Sequence, residues 1–178
     1  MRFTVDRTRA DHGAPAPMST ILEHLRLTEG DELEAQRMVD AAIRELEHHG
    51  EFALFDQVIT MRVQAYQWPY WPGLPIRPIK AGALPVLTHQ GDSWELDPHG
   101  WDGVLSWPRD RGPLAAPFTV TYTAGFGTRA DELPPDLVLA VLDQAATYYD
   151  ARGASEGKLL ALSPHAARIV ARYRGVRL

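Results

Sequence analysis

The sequence predicts an α+β fold, in which a helical core from N- and C-terminal helices carries an inserted antiparallel β module. Apolar residues recur at the helical period in residues 18–50 and 134–175, whereas residues 52–125 contain short runs with the two-residue alternation of strands. Prolines punctuate these runs, and no helical pattern separates them. A doubly wound parallel sheet is therefore disfavoured, because it needs a helix between successive strands.

Composition narrows the class of protein. The 178-residue chain is 45% hydrophobic, which suffices for a real core, and its length favours one domain. The absence of cysteine excludes disulfides, thiolate chemistry and cysteine-based metal sites. No apolar run approaches the roughly 20 residues of a membrane helix, and the N-terminus lacks the hydrophobic segment of a signal peptide. We therefore expect a protein without a membrane partner that stays inside the cell that makes it.

The first half of the predicted helical core follows a disordered start. Residues 1–17 lack periodicity and are predicted to form a flexible arm before a single domain over residues 18–178. Ser19 is the predicted N-cap of a short first helix. A second helix is predicted from Asp31 to His49, with acids opposite its apolar stripe. The stripe consists of Ala35, Val39, Ala42, Ile43 and Leu46.

Five alternating runs predict the β module over residues 52–125. They are "QVITMRVQAY", "LPVLTH", "SWELD", "GVLSW" and "FTVTYTAG", and their spacing favours an antiparallel meander. The chain returns to helix after the paired prolines Pro134 and Pro135. Ser163 and Pro164 have the pattern of an N-cap and a first-turn proline, which predicts a last short helix.

A glycine motif between the last strand and this helix raises the question of a nucleotide site. Gly125, Gly127 and Ala130 spell G-x-G-x-x-A. A dinucleotide site needs a helix that begins inside the motif and an acid about 20 residues later at the end of a second strand. Residues 131–135 delay the helix, and Asp143, at that distance, lies inside the same helix. We therefore interpret Gly125 and Gly127 as a structural turn, with no cofactor.

The remaining motifs give no catalytic or metal site. His48 and His49 are adjacent at a helix end, so their side chains point about 100° apart, and no second ligand motif completes a metal site. Neither G-x-S-x-G nor the phosphate-loop pattern occurs. We predict that the protein is not an enzyme.

The segment "QWPYWPGLP" concentrates the aromatic residues Trp68, Tyr70 and Trp71. Tryptophan and tyrosine are enriched at protein interfaces, and they also stack on bases. Three alternatives remain: a loop that packs its aromatic side chains on the sheet, a subunit or tail interface, and a ligand-stacking site. The last alternative would make the chain a small ligand-binding protein or an enzyme.

Charge is distributed unevenly along the chain. Residues 28–51 contain eight acids against two arginines, whereas residues 152–178 contain six bases against one acid. Opposite charges on different parts of a chain suit a heterologous contact between copies, which closes into a ring when the rotation permits. The helix from Asp31 to His49 and the β module are the expected subunit contacts. A DNA-binding module is an alternative for the basic tail, and its affinity would fall steeply with salt.

Two phrases resemble the head-tail connector proteins, also called adaptors or head-completion proteins, of long-tailed bacteriophages and gene transfer agents. The first, "ILEHLRLTEGDELEAQRMVDAAIRELEHHGEFAL", is similar to the family's opening of a short helix, an acidic break and an alanine-rich helix. The second is "FTVTYTAGFG", followed by an acid, paired prolines and "LVLAVLDQAATYYDARG". Phe126 stands where tyrosine is more usual in the family's Tyr-x-Ala-Gly-Tyr/Phe-Gly phrase. The resemblance covers residues 19–175.

The resemblance implies a structural virion protein without catalysis, assembled in the cytoplasm of the host bacterium. About twelve copies would form a closed ring under the portal of the DNA-filled capsid. The ring would extend the DNA channel without sequence-specific DNA binding and present a surface to a tail-side connector or tail terminator protein. In such proteins a C-terminal segment docks on the portal, which fits the basic tail. The expected portal-contact residues are Arg168, Arg172, Tyr173, Arg174, Arg177 and Leu178.

Overall fold

The structure, a computed structural model, describes residues 2–9, 12–65, 73–99, 104–105, 114–152 and 161–174. The chain divides into two compact units. The sheet unit comprises residues 1–11 and 55–126, and the helical unit comprises residues 12–54 and 127–178. Helices from both ends of the chain and an antiparallel sheet between them confirm the predicted α+β fold.

The sheet unit is built on a five-stranded sheet with the order β1-β2-β7-β3-β4. Its strands are β1 (Arg2–Arg9), β2 (Gln57–Ala65), β3 (Val86–His89), β4 (Asp92–Glu95) and β7 (Phe118–Ala124). All neighbouring strands are antiparallel. A separate short ladder joins β5 (Pro98–His99) to β6 (Val104–Leu105). The predicted meander is wrong in one respect, because β7 inserts between β2 and β3.

The N-terminal segment differs from the arm that the sequence predicts. Residues 2–9 form β1, which pairs with β2 from Arg9 opposite Gln57 to Arg2 opposite Ala65. Most of this strand is exposed, so its sequence lacks the apolar alternation that identifies a half-buried strand. The ladder with β2 places the segment in the sheet, and sequence patterns do not reveal such a non-local pairing.

One face of the sheet is buried. On β2 and β7 the buried and less buried residues alternate, as the two-residue period of a strand requires. The buried side chains include Ile59, Met61, Val63, Leu87, Phe118, Val120 and Tyr122. The hydroxyl oxygen of Tyr122 accepts a hydrogen bond from the Ile76 amide at 3.0 Å. Burial raises the pKa of this phenol well above its usual value.

The helical unit contains four α-helices and a short 3-10 helix over Ala130–Glu132. The α-helices are α1 (Met18–Leu25), α2 (Glu32–Gly50), α3 (Pro135–Ala151) and α4 (Pro164–Tyr173). All five residues of the predicted α2 stripe are at most 1% exposed, which confirms that stripe. Helix α1 begins one residue before the predicted cap Ser19 and has Pro17 at its N-cap position. None of the helices in the described residues is long and apolar enough to cross a membrane.

Candidate interaction surfaces

The first glycine of the G-x-G motif has a steric reason to be glycine. Gly125 has a φ of +151°, a conformation that side chains disfavour. A Cβ at this position would lie 2.5 Å from Asp56 Cα and 2.6 Å from Asp56 N. The Gly125 amide donates to the Pro78 carbonyl at 2.9 Å, which fixes the backbone after β7. Gly125 therefore lets two stretches of backbone in the sheet unit pass close to each other.

The second glycine lies beside an acid of its own chain. A Cβ at Gly127 would lie 2.4 Å from Glu132 Oε2. That same oxygen accepts hydrogen bonds from the Thr128 amide at 2.7 Å and the Arg129 amide at 3.0 Å. Free amides after a glycine motif are the groups that bind phosphate. Here a carboxylate takes the two amides, so the turn is closed by an internal anion.

Helix α4, which carries four of the six expected portal-contact residues, begins with the predicted cap. The Ser163 hydroxyl accepts from the Ala166 amide at 3.1 Å, and the Ser163 amide donates to Gln144 Oε1 of α3 at 2.8 Å. Three apolar side chains of α4 are buried, those of Ala166, Ile169 and Val170. Helix α4 therefore belongs to the core of the helical unit and is not a detachable tail.

Two of the expected portal-contact residues are engaged within the helical unit. Arg172 Nη2 donates to Asp136 Oδ2 at 2.7 Å, and the Tyr173 hydroxyl donates to Asp136 Oδ1 at 2.7 Å. The Tyr173 ring also approaches the Phe52 ring, with centroids 6.2 Å apart. Partial burial and the hydrogen bond to the Asp136 carboxylate raise the pKa of Tyr173 to about 12. These contacts hold the C-terminal end of α4 against the start of α3.

The remaining expected portal-contact residues divide into two pairs. Arg168 and Arg174 are exposed, and neither makes an ion pair with another described residue. Arg177 and Leu178 lie outside the described residues, as do Trp68, Tyr70 and Trp71 of the aromatic segment. The structure thus presents Arg168 and Arg174 as cationic groups on the surface of the helical unit.

Several of the acids in residues 28–51 have partners in the same chain. Glu34 forms an ion pair with Arg152, whose guanidinium carbon lies 3.7 Å from the centre of the Tyr149 ring. Glu47 is 1% exposed and accepts from the Leu54 amide at 2.8 Å. Part of the charge contrast between the acidic segment and the basic tail is therefore satisfied inside one subunit. The sequence could not show this, because Glu34 and Arg152 are far apart along the chain.

A carboxylate between two histidines is the polar cluster that sequence reasoning missed. Asp143 of α3 accepts at Oδ1 from His24 Nε2 of α1 at 3.0 Å, and its Oδ2 is hydrogen-bonded to His165 Nδ1 of α4. All three side chains are partly buried. The cluster joins three helices, and its members lie too far apart in sequence to form a recognisable motif. Within the described parts of the chain, no group of three histidines and acids has the arrangement of a metal site.

No protein-family model and no curated protein matches the chain. Among solved structures, a chain of the "Neck of empty GTA particle computed with C6 symmetry" is 25% identical with a TM-score of 0.73, over 98% of this chain and 97% of that chain. A chain of the "Virion of native gene transfer agent (GTA) particle" is 25% identical with a TM-score of 0.71, over 98% and 96%. A chain of the "Neck of native GTA particle computed with C12 symmetry", 24% identical over 98% and 97%, shares the fold with a TM-score of 0.70.

Proposed function

We propose that this chain is a structural neck protein of a gene transfer agent or phage virion, and more specifically the adaptor that joins the portal to the tail. The observation that carries the proposal is the 25% identity and TM-score of 0.73 to a chain of a gene transfer agent neck, over 98% of the present sequence. Since the match covers both units, it supports a role for the whole chain. The function requires no catalysis.

The proposed assembly is a ring of about twelve copies around the DNA channel, closed by heterologous contacts. DNA passes through the channel without sequence-specific binding, and the tail side of the ring receives a further connector or tail terminator protein. The location is the head-tail interface of the virion. The aromatic residues Trp68, Tyr70 and Trp71 are assigned to a subunit or tail contact, because such side chains are enriched at interfaces.

Portal attachment is assigned to the basic C-terminal end, with two different roles. Arg168, Arg174 and the terminal Arg177 and Leu178 contact the portal. Arg172 and Tyr173 contribute from their places against Asp136, where they fix the direction in which the chain leaves α4. Exposed arginines suit this role, since their guanidinium groups bind carboxylates with two parallel hydrogen bonds.

The test combines a short truncation with two substitutions. Removal of all of α4 would expose Ile169 and Val170 of the core, so it would report folding as much as attachment. A chain that ends at Arg174 and carries Arg168→Ala and Arg174→Ala keeps those packing contacts. We expect it to form rings in electron micrographs but to lose co-sedimentation with its portal protein.

Arg37→Ala, which removes an exposed arginine from α2, is the matched control and is expected to keep portal attachment. Retained attachment of the truncated variant would refute the role of the basic end. A wild-type chain that stays monomeric alone and with its portal protein would refute the ring itself.

A further inference from the structure

The two edges of the five-stranded sheet run in the same direction. Strand β1 lies at one end of the order β1-β2-β7-β3-β4 and β4 lies at the other. Each of the four pairings between them is antiparallel, so the chain direction reverses four times from β1 to β4. An even number of reversals leaves β1 and β4 parallel. An edge strand presents backbone amides and carbonyls that can pair with another strand.

The same two edges carry opposite charge. Strand β1 contains three arginines, Arg2, Arg7 and Arg9, and its one acid, Asp6, forms an ion pair with Arg62 of β2. Strand β4 has the sequence Asp-Ser-Trp-Glu, with no base. Asp92 and Glu95 are both exposed. The edges are separated by four strand spacings, or about 19 Å, so their charges do not meet within one sheet.

The charged side chains are also on matching faces. Arg7 stands opposite Ile59 and Arg9 opposite Gln57, so both arginines are on the face of the sheet that carries the buried side chains of β2. Asp92 stands opposite His89, two residues from the buried Leu87, and is therefore on that same face. A sheet extended from β4 of one copy to β1 of the next would have Asp92 and these arginines on one face.

We propose that β4 of one copy pairs with β1 of the next copy as parallel strands, and that this junction is a subunit contact of the ring. The inference rests on the proposed function, because it presumes the ring. A twelve-membered ring turns each subunit by only about 30°, so neighbouring copies keep nearly the same strand direction. Parallel edges of opposite charge are what such a head-to-tail junction needs. An isologous dimer would instead pair β1 with β1 or β4 with β4, in antiparallel fashion and with like charges opposed.

Charged residues on sheet edges are also a common defence against unwanted pairing. That explanation accounts for charge on each edge but not for its opposite sign. Charges of one sign on both edges would block every pairing, whereas the observed distribution blocks self-pairing and permits only β4 against β1. The second copy is therefore the occupant that the two edges select.

The first experiment exchanges the charges of the edges. One variant carries Arg7→Glu and Arg9→Glu, and the other carries Asp92→Arg and Glu95→Arg. Each variant alone opposes like charges at every junction, so we expect rings in electron micrographs to fall at least tenfold in number for each. In an equimolar mixture every junction between unlike variants again joins opposite charges. We expect the mixture to recover rings in which the two variants alternate.

The mixture is also the control for folding, because misfolded subunits would not assemble on mixing. Arg7→Lys with Arg9→Lys keeps the charge and should keep the rings. Rings in both charge variants alone, at wild-type levels, would overturn the junction while leaving the proposed ring intact. If the variants lose rings and the mixture does not restore them, the charge pairing is also refuted. Absence of rings in the wild-type protein would count against the proposed function instead.

A second experiment uses the absence of cysteine from the chain. Ser93→Cys on β4 is combined in turn with Thr4→Cys, Asp6→Cys and Thr8→Cys on β1, all on the opposite face from Asp92. A disulfide forms only when the Cα atoms come within about 7 Å, so the three pairs scan the register. We expect one pair to give a ladder of covalent multimers on oxidation. Each single variant should remain monomeric on a non-reducing gel, and rings without a ladder from any of the three pairs would refute the strand pairing.

Discussion

In the helical unit acidic and basic side chains meet within one chain, whereas in the sheet unit acids and arginines lie on opposite edges of the sheet. Asp136 binds Arg172 and Tyr173, and Glu34 binds Arg152. Asp92 and Glu95, by contrast, are about 19 Å from β1 across four strand spacings. The difference shows that charge in the helical unit stabilises the subunit, while charge at the sheet edges is placed to act between copies. Net charge along the sequence does not distinguish these two uses.

The largest expected effect tests whether the sheet unit depends on close backbone packing in place of charge pairs. Gly125→Ala would force a Cβ to within 2.5 Å of Asp56 Cα at a φ of +151°. We expect the free energy of unfolding to fall by about 3 kcal/mol or more, because strain and overlap act together. Hydrogen exchange should accelerate in β2 and β7 more than in α3. Equal acceleration in α3 would show that the two units do not unfold separately.

Gly82→Ala is the matched control for the glycine prediction. Gly82 also has a positive φ, +81°, but a Cβ there would meet nothing within 4 Å. Only the backbone strain remains, so we expect a loss of about 1 kcal/mol in a urea unfolding titration. If both variants lose the same free energy, the contact with Asp56 contributes nothing and the interpretation of Gly125 is wrong.

Local patterns predicted the parts of the fold that depend on neighbours in sequence. The α2 stripe, the late start of α3 after Pro134 and the Ser163 cap are read from spacing and residue type, and the structure has them. Strand β1 was missed because its stability comes from β2, more than fifty residues away in the chain. The glycines were recognised as permissive, but their neighbours Asp56 and Glu132 are set by the fold. Ion pairs such as Arg152 with Glu34 are likewise invisible to a count of charges.

The second prediction tests the claim that charge in the helical unit stabilises the subunit. Asp136→Ala removes the acceptor for Arg172 and Tyr173 and an acid from the first turn of α3, where the helix dipole favours it. We expect the free energy of unfolding to fall by about 1 to 2 kcal/mol, measured by urea titration. Asp150→Ala is the matched control, since Asp150 is exposed near the C-terminal end of the same helix.

An acid at the end of a helix is unfavourable, so Asp150→Ala should leave stability unchanged or raise it slightly. Equal losses in the two variants would mean that the contacts of Asp136 with α4 do not contribute. The helical unit would then resemble the sheet unit in leaving its charges without a stabilising role, and the contrast between the two units would disappear.

The smallest expected effect concerns alkaline pH and sharpens the role of the same contact. Tyr173 has its pKa raised from 10.0 to about 12 by burial and by its hydrogen bond to Asp136. The unfolded chain therefore releases this proton first, and the folded chain binds more protons between these two pH values. The contribution of Tyr173 is complete below pH 10 and is lost as the pH rises toward 12. Urea titrations of the wild type should show the free energy of unfolding falling across this interval.

Tyr173→Phe cannot ionise, so its free energy of unfolding should decline less steeply over the same interval. Some decline will persist, because burial also raises the pKa of Tyr122 in the sheet unit. Tyr122→Phe should flatten the remaining slope, and the double variant should flatten it most, since the two phenols lie in different units and act independently. A Tyr173→Phe slope identical to the wild-type slope would show that Asp136 does not hold the phenol in the folded protein. In that case the C-terminal end of α4 is not fixed, and the direction in which the chain leaves it toward the portal would have to be set by the portal.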